Sequence, residues 1–261
     1  MGFELKDSGV VITGGGGGIG AALARRFSGA GARVVVADIN EEAATAVARE
    51  IGGVAVAGDA ASEAGLERLI SRATSELGAI DMYCANAGVA PHGGADAGEA
   101  AWASAWEVNV MAHVRAAALL LPSWLDRGRG RFLATVSAAG MLTMLGSAPY
   151  SVTKHAALSF AEWLSATYRH RGITVQALCP QGVRTAMLAD AGPGGRFLMG
   201  ASAIEPGQVA EAVAQALADD RFLILPHPEV AGYYQARAAD TDRWIGNMNR
   251  LQRKIESLQT P

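Results

Sequence analysis

The stretch that decides the fold is residues 10–20, which reads VVITGGGGGIG. A β-branched run ends at Thr13, a glycine turn follows, and residues 21–30 have the composition of a helix. Glycines let the backbone turn tightly and come close to a pyrophosphate, whose charge is stabilised by the free N–H groups at the start of a helix. Strand, glycine turn and helix occur in the order that such a site requires. The stretch therefore predicts nucleotide binding, the alternative being a merely flexible turn.

The same alternation of apolar runs and helical segments continues along the whole chain. Short runs of continuous hydrophobicity are typical of strands covered on both faces, and helices between them favour parallel pairing with right-handed crossovers. The sequence predicts an α/β fold, a Rossmann-type doubly wound parallel sheet of about seven strands with helices on both faces. No linker divides the chain, so residues 1–261 are expected to form a single domain. The predicted strands are 10–12, 33–37, 54–57, 82–85, 131–136, 173–178 and 222–225.

Composition and charge exclude several classes of partner. The chain has 261 residues, half of them hydrophobic, with 25 acidic and 22 basic side chains. Because the charges nearly balance and no run of like charge occurs, we expect neither a nucleic-acid partner nor a membrane partner. No signal-like N-terminus and no membrane-spanning length is found, so a cytoplasmic protein is expected. Cys84 and Cys179 lie in apolar runs without metal-ligand spacing; they are interpreted as buried reduced thiols, and no metal site is predicted.

Two carboxylates follow predicted strands at positions suited to a dinucleotide. Asp38 ends the second strand about twenty residues beyond the glycine turn, where a carboxylate accepts hydrogen bonds from ribose hydroxyls and repels a 2′-phosphate. No Arg or Lys lies between Asp38 and Arg49, which favours NAD over NADP. The alternative is that Asp38 caps the next helix. Asp59, which precedes Ala60, either accepts from the adenine amino group or caps the helix after it.

The candidate proton-transfer residues lie in residues 137–154, SAAGMLTMLGSAPYSVTK. Ser137 ends the fifth strand, and Pro149 opens a helix at a position that tolerates proline. Tyr150 and Lys154 lie one turn apart on that helix, so their side chains share a face. By spacing alone they are no more than a helical pair.

Three further polar or small positions lie close to predicted strand ends or on a long helix. The fourth strand ends with Asn86 and Gly88, small residues that let a cofactor lie against the backbone, and Asn86 is interpreted as a tie between strands. Residues 98–127 are predicted to form one long helix or two joined pieces. Asn109 on this helix is flanked by valines, and a buried Asn that satisfies backbone groups is the alternative to a functional one. His113 is interpreted only as a helix residue.

In order and spacing, these motifs resemble those of the classical short-chain dehydrogenases/reductases over nearly the whole chain. The matching motifs are Thr13-Gly14-x-x-x-Gly18-Ile19-Gly20, Asn86-Ala87-Gly88, Asn109, Ser137 and Tyr150-Ser-Val-Thr-Lys154. The resemblance implies a nicotinamide cofactor and a catalytic set made of Asn109, Ser137, Tyr150 and Lys154. Together with the carboxylates above, it gives a candidate NAD-binding set: Gly14, Gly18, Ile19, Gly20, Asp38, Asp59, Ala60, Asn86, Gly88, Tyr150, Lys154, Pro180, Val183 and Thr185.

The chain departs from the family pattern at two places. Ala85 stands where the family often has a second Asn before Asn86-Ala-Gly. Gln181 stands where the family usually has Gly directly after Pro180. Val183 and Thr185 are kept, so the nicotinamide amide is still expected to be held, whereas Gln181 changes the turn and becomes a candidate to face the substrate.

The free energy needed to make Tyr150 a base can be compared with the effect of one nearby charge. A tyrosine with a pKa of about 10 is a poor base near neutrality, and lowering that pKa by about 3 requires about 4 kcal/mol. One unit charge at about 4 Å, in an effective dielectric of about 20, supplies roughly that amount. We therefore expect Lys154 to lower the pKa of Tyr150. The hypothesis is that Tyr150 takes the proton of a secondary alcohol while hydride passes to nicotinamide, with Ser137 on the reacting oxygen and Asn109 fixing a water.

The C-terminal third is expected to shape the substrate site. Residues 186–205 are rich in glycine and soft apolar side chains and are predicted to form a mobile lid over an apolar or aromatic substrate, the alternative being an ordinary surface loop. Residues 229–258 are predicted to form an amphipathic helical tail that packs across the substrate opening or onto a neighbouring subunit. His227 is interpreted as structural, the alternative being a role in the substrate pocket. The family resemblance also implies a homodimer or homotetramer.

Two other functions remain open at the level of sequence. One is a sensor or scaffold protein that binds NAD without turnover, and the presence of both Tyr150 and Lys154 argues against it. The other is an epimerase or dehydratase on the same fold, although such relatives tend to be longer and to have another glycine spacing.

Overall fold

Seven strands form one parallel sheet in the described part of the chain. The computed structural model describes residues 2–191 and 199–259. The sheet has the order β3-β2-β1-β4-β5-β6-β7, so the direction of winding reverses between β1 and β4. Ligands of such sheets bind outside the carboxyl ends of the strands at that reversal. The strands are β1 (Gly9–Thr13), β2 (Arg33–Asp38), β3 (Val54–Ala57), β4 (Met82–Ala85), β5 (Gly130–Thr135), β6 (Ile173–Leu178) and β7 (Leu223–Ile224).

Helices cover both faces of this sheet. Side chains of α1, α2 and α9 pack in one apolar core, and those of α3, α5 and α7 pack in the other. The helices are α1 (Gly18–Ser28), α2 (Glu41–Ile51), α3 (Glu63–Leu77), α4 (Glu99–Trp106), α5 (Ala112–Arg127), α6 (Ala139–Leu142), α7 (Ala148–Tyr168), α8 (Ala186–Ala189), α9 (Pro206–Asp219), α10 (Glu229–Ala239) and α11 (Thr241–Gln259).

The residues of β1 are apolar without alternation because both faces of this strand are buried. Val10 and Ile12 point into one core and Val11 into the other, and all three are fully buried. A strand covered on both faces has no solvent side that would favour polar residues. The predicted fold class and the seven predicted strands are confirmed.

The long helical stretch Glu99–Arg127 is continuous but not uniform. A π turn, Glu107–Met111, joins α4 to α5 and contains Asn109. By length and composition alone this stretch could cross a membrane, contrary to the sequence-based expectation that no segment reaches that length. Its buried residues, such as Trp124, pack against the sheet, which is how a core helix of a globular domain is placed.

The C-terminal tail predicted for residues 229–258 is helical and consists of two helices, α10 and α11. Asp240 interrupts them with an extended backbone, φ −151° and ψ 87°. Its carboxylate accepts the backbone N–H of Arg243 at 2.9 Å, and its carbonyl accepts that of Trp244 at 3.0 Å. Asp240 therefore caps α11, as a short acceptor side chain at a helix start commonly does.

Candidate active site

The glycine turn between β1 and α1 leaves room for a bound group only at its tip. A Cβ on Gly20 would lie 2.1 Å from the Gly14 carbonyl oxygen, so this position requires glycine for packing. Gly14 also has a left-handed φ of 62°. A Cβ on Gly17, in contrast, would have no heavy atom within 4 Å. The turn is therefore closely packed at Gly14 and Gly20, but it leaves free space at Gly17, just before the first N–H groups of α1. A pyrophosphate would fit in that space, where those N–H groups could bind it.

Asp38 lies beside this turn at the end of β2. Its Oδ2 accepts the backbone N–H of Gly16 at 2.9 Å, and its Oδ1 accepts that of Asn40 at 2.9 Å. Asn40, not Asp38, caps α2, because its side chain accepts the N–H of Ala43. The capping alternative for Asp38 is thus wrong, and the carboxylate is held next to the turn with lone pairs still available.

The other predicted adenosine residue, Asp59, lies at the same edge of the sheet. Its Oδ1 accepts the N–H of Ala61 at 2.9 Å, and the side chain is exposed. Ser62 caps α3 through the N–H of Gly65, so the helix does not use the Asp59 carboxylate as its cap. Ala60 stays half-buried between them.

Asn86 ties strand ends together, as predicted. Its side-chain amide donates to the carbonyl oxygens of Thr13 (3.0 Å) and Gly14 (3.3 Å), and its Oδ1 accepts from the Thr135 hydroxyl at 3.1 Å. Thr13 contributes in turn, since its hydroxyl accepts the N–H groups of Asn86 and Ala87. These bonds join β1, β4 and β5 where the cofactor is expected.

Ser137, Tyr150 and Lys154 come together in the buried region above β5. The Ser137 hydroxyl is close enough to the Tyr150 side chain to oppose, in part, the rise of the Tyr150 pKa. The Lys154 Nζ lies 5.6 Å from the centre of the Tyr150 ring and donates to the Thr135 carbonyl oxygen at 2.8 Å. The sequence placed these side chains on one helix face and at one strand end, and the fold brings them into one cluster.

Asn109 is joined to this cluster through helix α7. Its Nδ2 donates to the Thr153 hydroxyl at 3.0 Å and to the Val89 carbonyl at 2.9 Å, while its Oδ1 accepts the Val89 N–H at 3.0 Å. A Cβ on Gly88 would lie 3.2 Å from the Asn109 Oδ1 and 3.5 Å from the Lys154 Nζ. Asn109 thus satisfies backbone groups, as the alternative reading of this residue expected, and its catalytic role stays a prediction.

Burial dominates the electrostatics of the cluster. It raises the pKa of Tyr150, and the smaller, opposite effect of the Ser137 hydrogen bond does not cancel it. It also lowers the pKa of Lys154 to about 8. The expectation that Lys154 lowers the pKa of Tyr150 is not met by the protein chain alone, because desolvation disfavours both charged forms.

The segment after β6 carries the predicted nicotinamide residues. The Pro180 carbonyl accepts the N–H of Ala138, next to Ser137, at 2.8 Å. Thr185 packs against the glycine turn, since a Cβ on Gly18 would lie 3.0 Å from its Cγ2. Val183 is buried and pairs with Ile204. The segment therefore runs from the catalytic cluster to the glycine turn, as a dinucleotide would.

The lid prediction, residues 186–205, is covered only in part. Residues 192–198, which include Gly192, Pro193 and Phe197, lie outside the described residues. The described residues on either side border a cavity of about 1070 Å³ that reaches Gly18 but includes neither Ser137 nor Tyr150 in its lining.

Sequence reasoning missed several side chains that hold the site together. Thr13, Thr135 and Thr153 bind backbone or amide groups of predicted site residues. His227, interpreted as structural with a pocket role as the alternative, accepts the N–H of Gln181 at 3.1 Å. The threonines had a local signal, since Thr13 and Thr153 lie within the quoted motifs and Thr135 lies two residues before Ser137, whereas a contact between residues 46 positions apart has none.

Comparison with known proteins gives the family. A family model described as short chain dehydrogenase matches residues 8–194. The chain belongs to that family. Among the relatives of this dehydrogenase, the 1-deoxy-11-beta-hydroxypentalenate dehydrogenase of Streptomyces exfoliatus is 36% identical over 244 residues, 87% of this chain and 86% of the relative. The 2,5-dichloro-2,5-cyclohexadiene-1,4-diol dehydrogenase of Sphingobium indicum is 32% identical over 236 residues, 83% of this chain and 92% of the relative.

Solved structures agree with this placement of the dehydrogenase. A short chain dehydrogenase/reductase from Burkholderia phymatum in complex with NAD superposes with a TM-score of 0.84 at 27% identity, covering 92% of this chain and 96% of that one. A 7α-hydroxysteroid dehydrogenase complexed with NADH gives a TM-score of 0.75 at 27% identity, covering 85% and 94%. The family expected from the sequence motifs is confirmed, and the dehydrogenase is an oxidoreductase by membership.

Proposed function

We propose that this dehydrogenase interconverts a secondary alcohol and a ketone with NAD as hydride carrier and Tyr150 as the acid/base. One observation carries the proposal. Ser137 lies beside Tyr150, and the Lys154 Nζ lies 5.6 Å from the centre of the Tyr150 ring, at the same sheet edge as the open glycine turn and Asp38. A proton-transfer group and a dinucleotide site thus meet in one place, which hydride transfer from an alcohol requires.

The residues of the chain have distinct roles in this reaction. Ser137 donates a hydrogen bond to the reacting oxygen and orients it toward Tyr150. The Tyr150 phenolate oxygen takes the alcohol proton in oxidation, and the Tyr150 hydroxyl returns that proton in ketone reduction. Lys154 stabilises the tyrosinate, and its bond to the Thr135 carbonyl fixes its position. Asn109 holds a water through which the proton leaves the buried cluster.

We infer that the cofactor would be held along one edge of the sheet. The glycine turn with Gly14, Gly18, Ile19 and Gly20 would hold the pyrophosphate, and Asp38 would accept hydrogen bonds from the ribose hydroxyls. Asp59 and Ala60 would hold the adenine. The nicotinamide half would be held by Asn86, Gly88, Pro180, Val183 and Thr185, and its ribose by Tyr150 and Lys154. When bound, NAD accepts the hydride of the alcohol carbon, and its positive ring favours the tyrosinate that burial alone disfavours.

We propose an apolar cyclic or aromatic alcohol as the substrate. The relatives include dehydrogenases of a hydroxypentalenate and of a cyclohexadiene diol, and these are carbocyclic alcohols. The predicted lid supplies Met187 and Leu188 from α8, soft apolar side chains that suit such a ring. A homodimer or homotetramer in the cytoplasm stays a prediction.

A spectrophotometric screen tests the proposal. The purified protein is mixed with NAD and a panel of steroid, aromatic, aliphatic and sugar-like secondary alcohols, and NADH formation is followed. We expect turnover with at least one apolar cyclic alcohol. Tight NAD binding measured by calorimetry, without NADH from any alcohol or loss of NADH with any matching ketone, would instead support the sensor or scaffold alternative.

A further inference from the structure

The segment between Ser137 and Tyr150 needs contacts that fix it. It consists of α6 and a loop in which Thr143 adopts a φ of 71°. This left-handed region is unfavourable for a β-branched residue, so the surroundings must hold the backbone there. Because the segment joins the two catalytic side chains, whatever holds it also sets their relative position.

Helix α7 holds one end of this loop through Ser151. The Ser151 hydroxyl accepts the N–H of Met144 at 2.8 Å and donates to the Met144 carbonyl at 2.9 Å. The Ser151 carbonyl in turn bonds the Nδ1 of His155 at 2.8 Å. His155 follows Lys154 directly, so this chain of bonds starts within the catalytic turn of the helix.

Arg237 of α10 completes the chain from outside. Its Nη1 lies 3.1 Å from the His155 Nε2 and also donates to the Met141 carbonyl oxygen in α6. A carbonyl only accepts and a guanidinium only donates, so the two partners of His155 require one tautomer, with the proton on Nδ1 and a bare Nε2. Both hydrogens of one guanidinium nitrogen are then used, one on each catalytic segment.

The partners of Arg237 make this contact unusual for an arginine. Among the described residues it has no salt bridge to a carboxylate, and its partners are a carbonyl and a neutral imidazole. The side chain is half-buried although its helix is otherwise largely exposed. Hydrogen bonds to charged groups are stronger than those between neutral groups. The guanidinium therefore fixes the position of the Met141 carbonyl relative to the His155 ring.

We propose that Arg237 is a positioning residue for the reaction, and that its bonds to Met141 and His155 set the spacing between Ser137 and the Tyr150–Lys154 pair. The inference rests on the proposed function, because it assigns a role in that chemistry. It gives the C-terminal helix α10 a part in catalysis without contact with the substrate or the cofactor.

The test uses variants in the full-length protein. Arg237→Met keeps the aliphatic stem and removes the donors, Arg237→Lys restores one donor group, and His155→Leu removes the imidazole bridge. Arg243→Met is the matched control, because Arg243 is exposed on α11 and its backbone bond to Asp240 survives the change. Each protein is assayed for kcat, for KM with both substrates, and for hydrogen exchange of the peptide that covers residues 139–147.

We expect Arg237→Met to lower kcat by about 10-fold to 100-fold, since small misplacements of reacting groups have effects of that size. The KM for NAD should stay unchanged, and exchange of residues 139–147 should become faster. Arg237→Lys should recover part of kcat. The double variant with His155→Leu should be no worse than the more impaired single variant, because both remove one connected unit.

Two results would overturn the inference. One is unchanged exchange of residues 139–147 in both Arg237→Met and His155→Leu, and the other is faster exchange with kcat equal to that of Arg243→Met. If the unaltered protein oxidises no alcohol, the proposed function fails by itself. The exchange measurement then still decides whether Arg237 holds the segment.

Discussion

The Lys154 Nζ lies 5.6 Å from the centre of the Tyr150 ring, and both side chains are buried. In that position the ammonium faces the ring of the tyrosine whose proton is to be transferred. Burial nevertheless raises the pKa of Tyr150 and lowers that of Lys154 to about 8, so the chain alone keeps the tyrosine protonated. Formation of the tyrosinate therefore depends on the ternary complex, in which the positive cofactor adds to Lys154.

Replacing Tyr150 by Phe should remove turnover and leave cofactor binding in place. The change deletes only the hydroxyl, which a general acid/base mechanism uses for a contribution of about 10²-fold to 10⁴-fold. We expect kcat to fall by about that factor while the Kd for NAD, measured by calorimetry, stays within about 2-fold. Tyr168→Phe on the same helix is the control. Normal turnover of Tyr150→Phe would exclude the mechanism.

Asp38 should give the dehydrogenase a strong preference for NAD over NADP. Its carboxylate is fixed beside the glycine turn by the N–H of Gly16 at 2.9 Å, where it would face an added 2′-phosphate. We expect kcat/KM with NAD to exceed that with NADP by about 100-fold, which corresponds to about 2.8 kcal/mol. Asp38→Ser keeps a hydrogen-bond acceptor for the turn and should reduce the ratio by at least about 10-fold. Equal use of both cofactors by the unaltered protein would show that the carboxylate has another role.

His113 should make the fold sensitive to acid. The ring is buried, packs edge-on to Phe132, and neither nitrogen has a hydrogen-bond partner among the described residues. Burial lowers the pKa of His113 to about 3, from 6.5 in the unfolded chain. The unfolded state therefore binds a proton first as the pH falls, and the stability that neutral His113 provides is lost progressively from pH 6.5 toward 3.

The size of this effect can be measured by urea unfolding at pH 7 and pH 5. At pH 5 the loss for a histidine with these two pKa values is about 2 kcal/mol. His113→Leu should remove that part of the pH dependence, so the unaltered protein should lose about 2 kcal/mol more than the variant between the two pH values. Identical pH dependence of the two proteins would show that folding does not lower the pKa of His113.

The sequence predicted those parts of the molecule in which the interacting residues are close together along the chain. The run from β1 through the glycine turn into α1 is contiguous, and the Tyr150–Lys154 pair follows from one helical turn. The sign of the pKa shift of Tyr150 could not be predicted, because it depends on how deeply the fold buries the ring. Contacts between distant residues, such as Arg237 with Met141, 96 positions apart, leave no periodicity in the sequence. The break at Asp240 was a local signal that was overlooked.

Gln181 should influence which alcohols are accepted. Its Nε2 is buried without a hydrogen-bond partner in the described part of the chain, one residue from the Pro180 carbonyl that binds the turn after Ser137. A buried donor left unpaired costs about 1–3 kcal/mol, which a substrate oxygen can offset. We expect Gln181→Gly to raise the substrate KM by about 10-fold for alcohols with a second oxygen and to leave simple alcohols unchanged. The comparison of the two alcohol classes in both proteins is the measurement, and an equal change for both would refute a substrate contact.

His227 should influence substrate binding, because it connects the turn at Gln181 with the end of the predicted lid. Its Nδ1 accepts the N–H of Gln181 at 3.1 Å, and its Nε2 donates to the Ser202 carbonyl at 3.2 Å, so one buried ring joins the turn that precedes the lid to a residue near the end of the lid. His227→Leu removes both bonds and should raise the substrate KM by about 10-fold, the equivalent of about 1.4 kcal/mol. His227→Asn offers an oxygen near the Nδ1 position and should be intermediate.

The control for this prediction is His170→Leu, since His170 is exposed at the far end of α7. Steady-state kinetics with the substrate found in the screen, together with thermal unfolding, separate a local effect from loss of the fold. If His227→Leu unfolds at the same temperature as the unaltered protein and has the same KM, the ring does not link lid and site. If only its KM rises, His227, which follows the last strand, acts on substrate binding through two backbone groups, because it supplies no side-chain contact to the reacting cluster in the described structure.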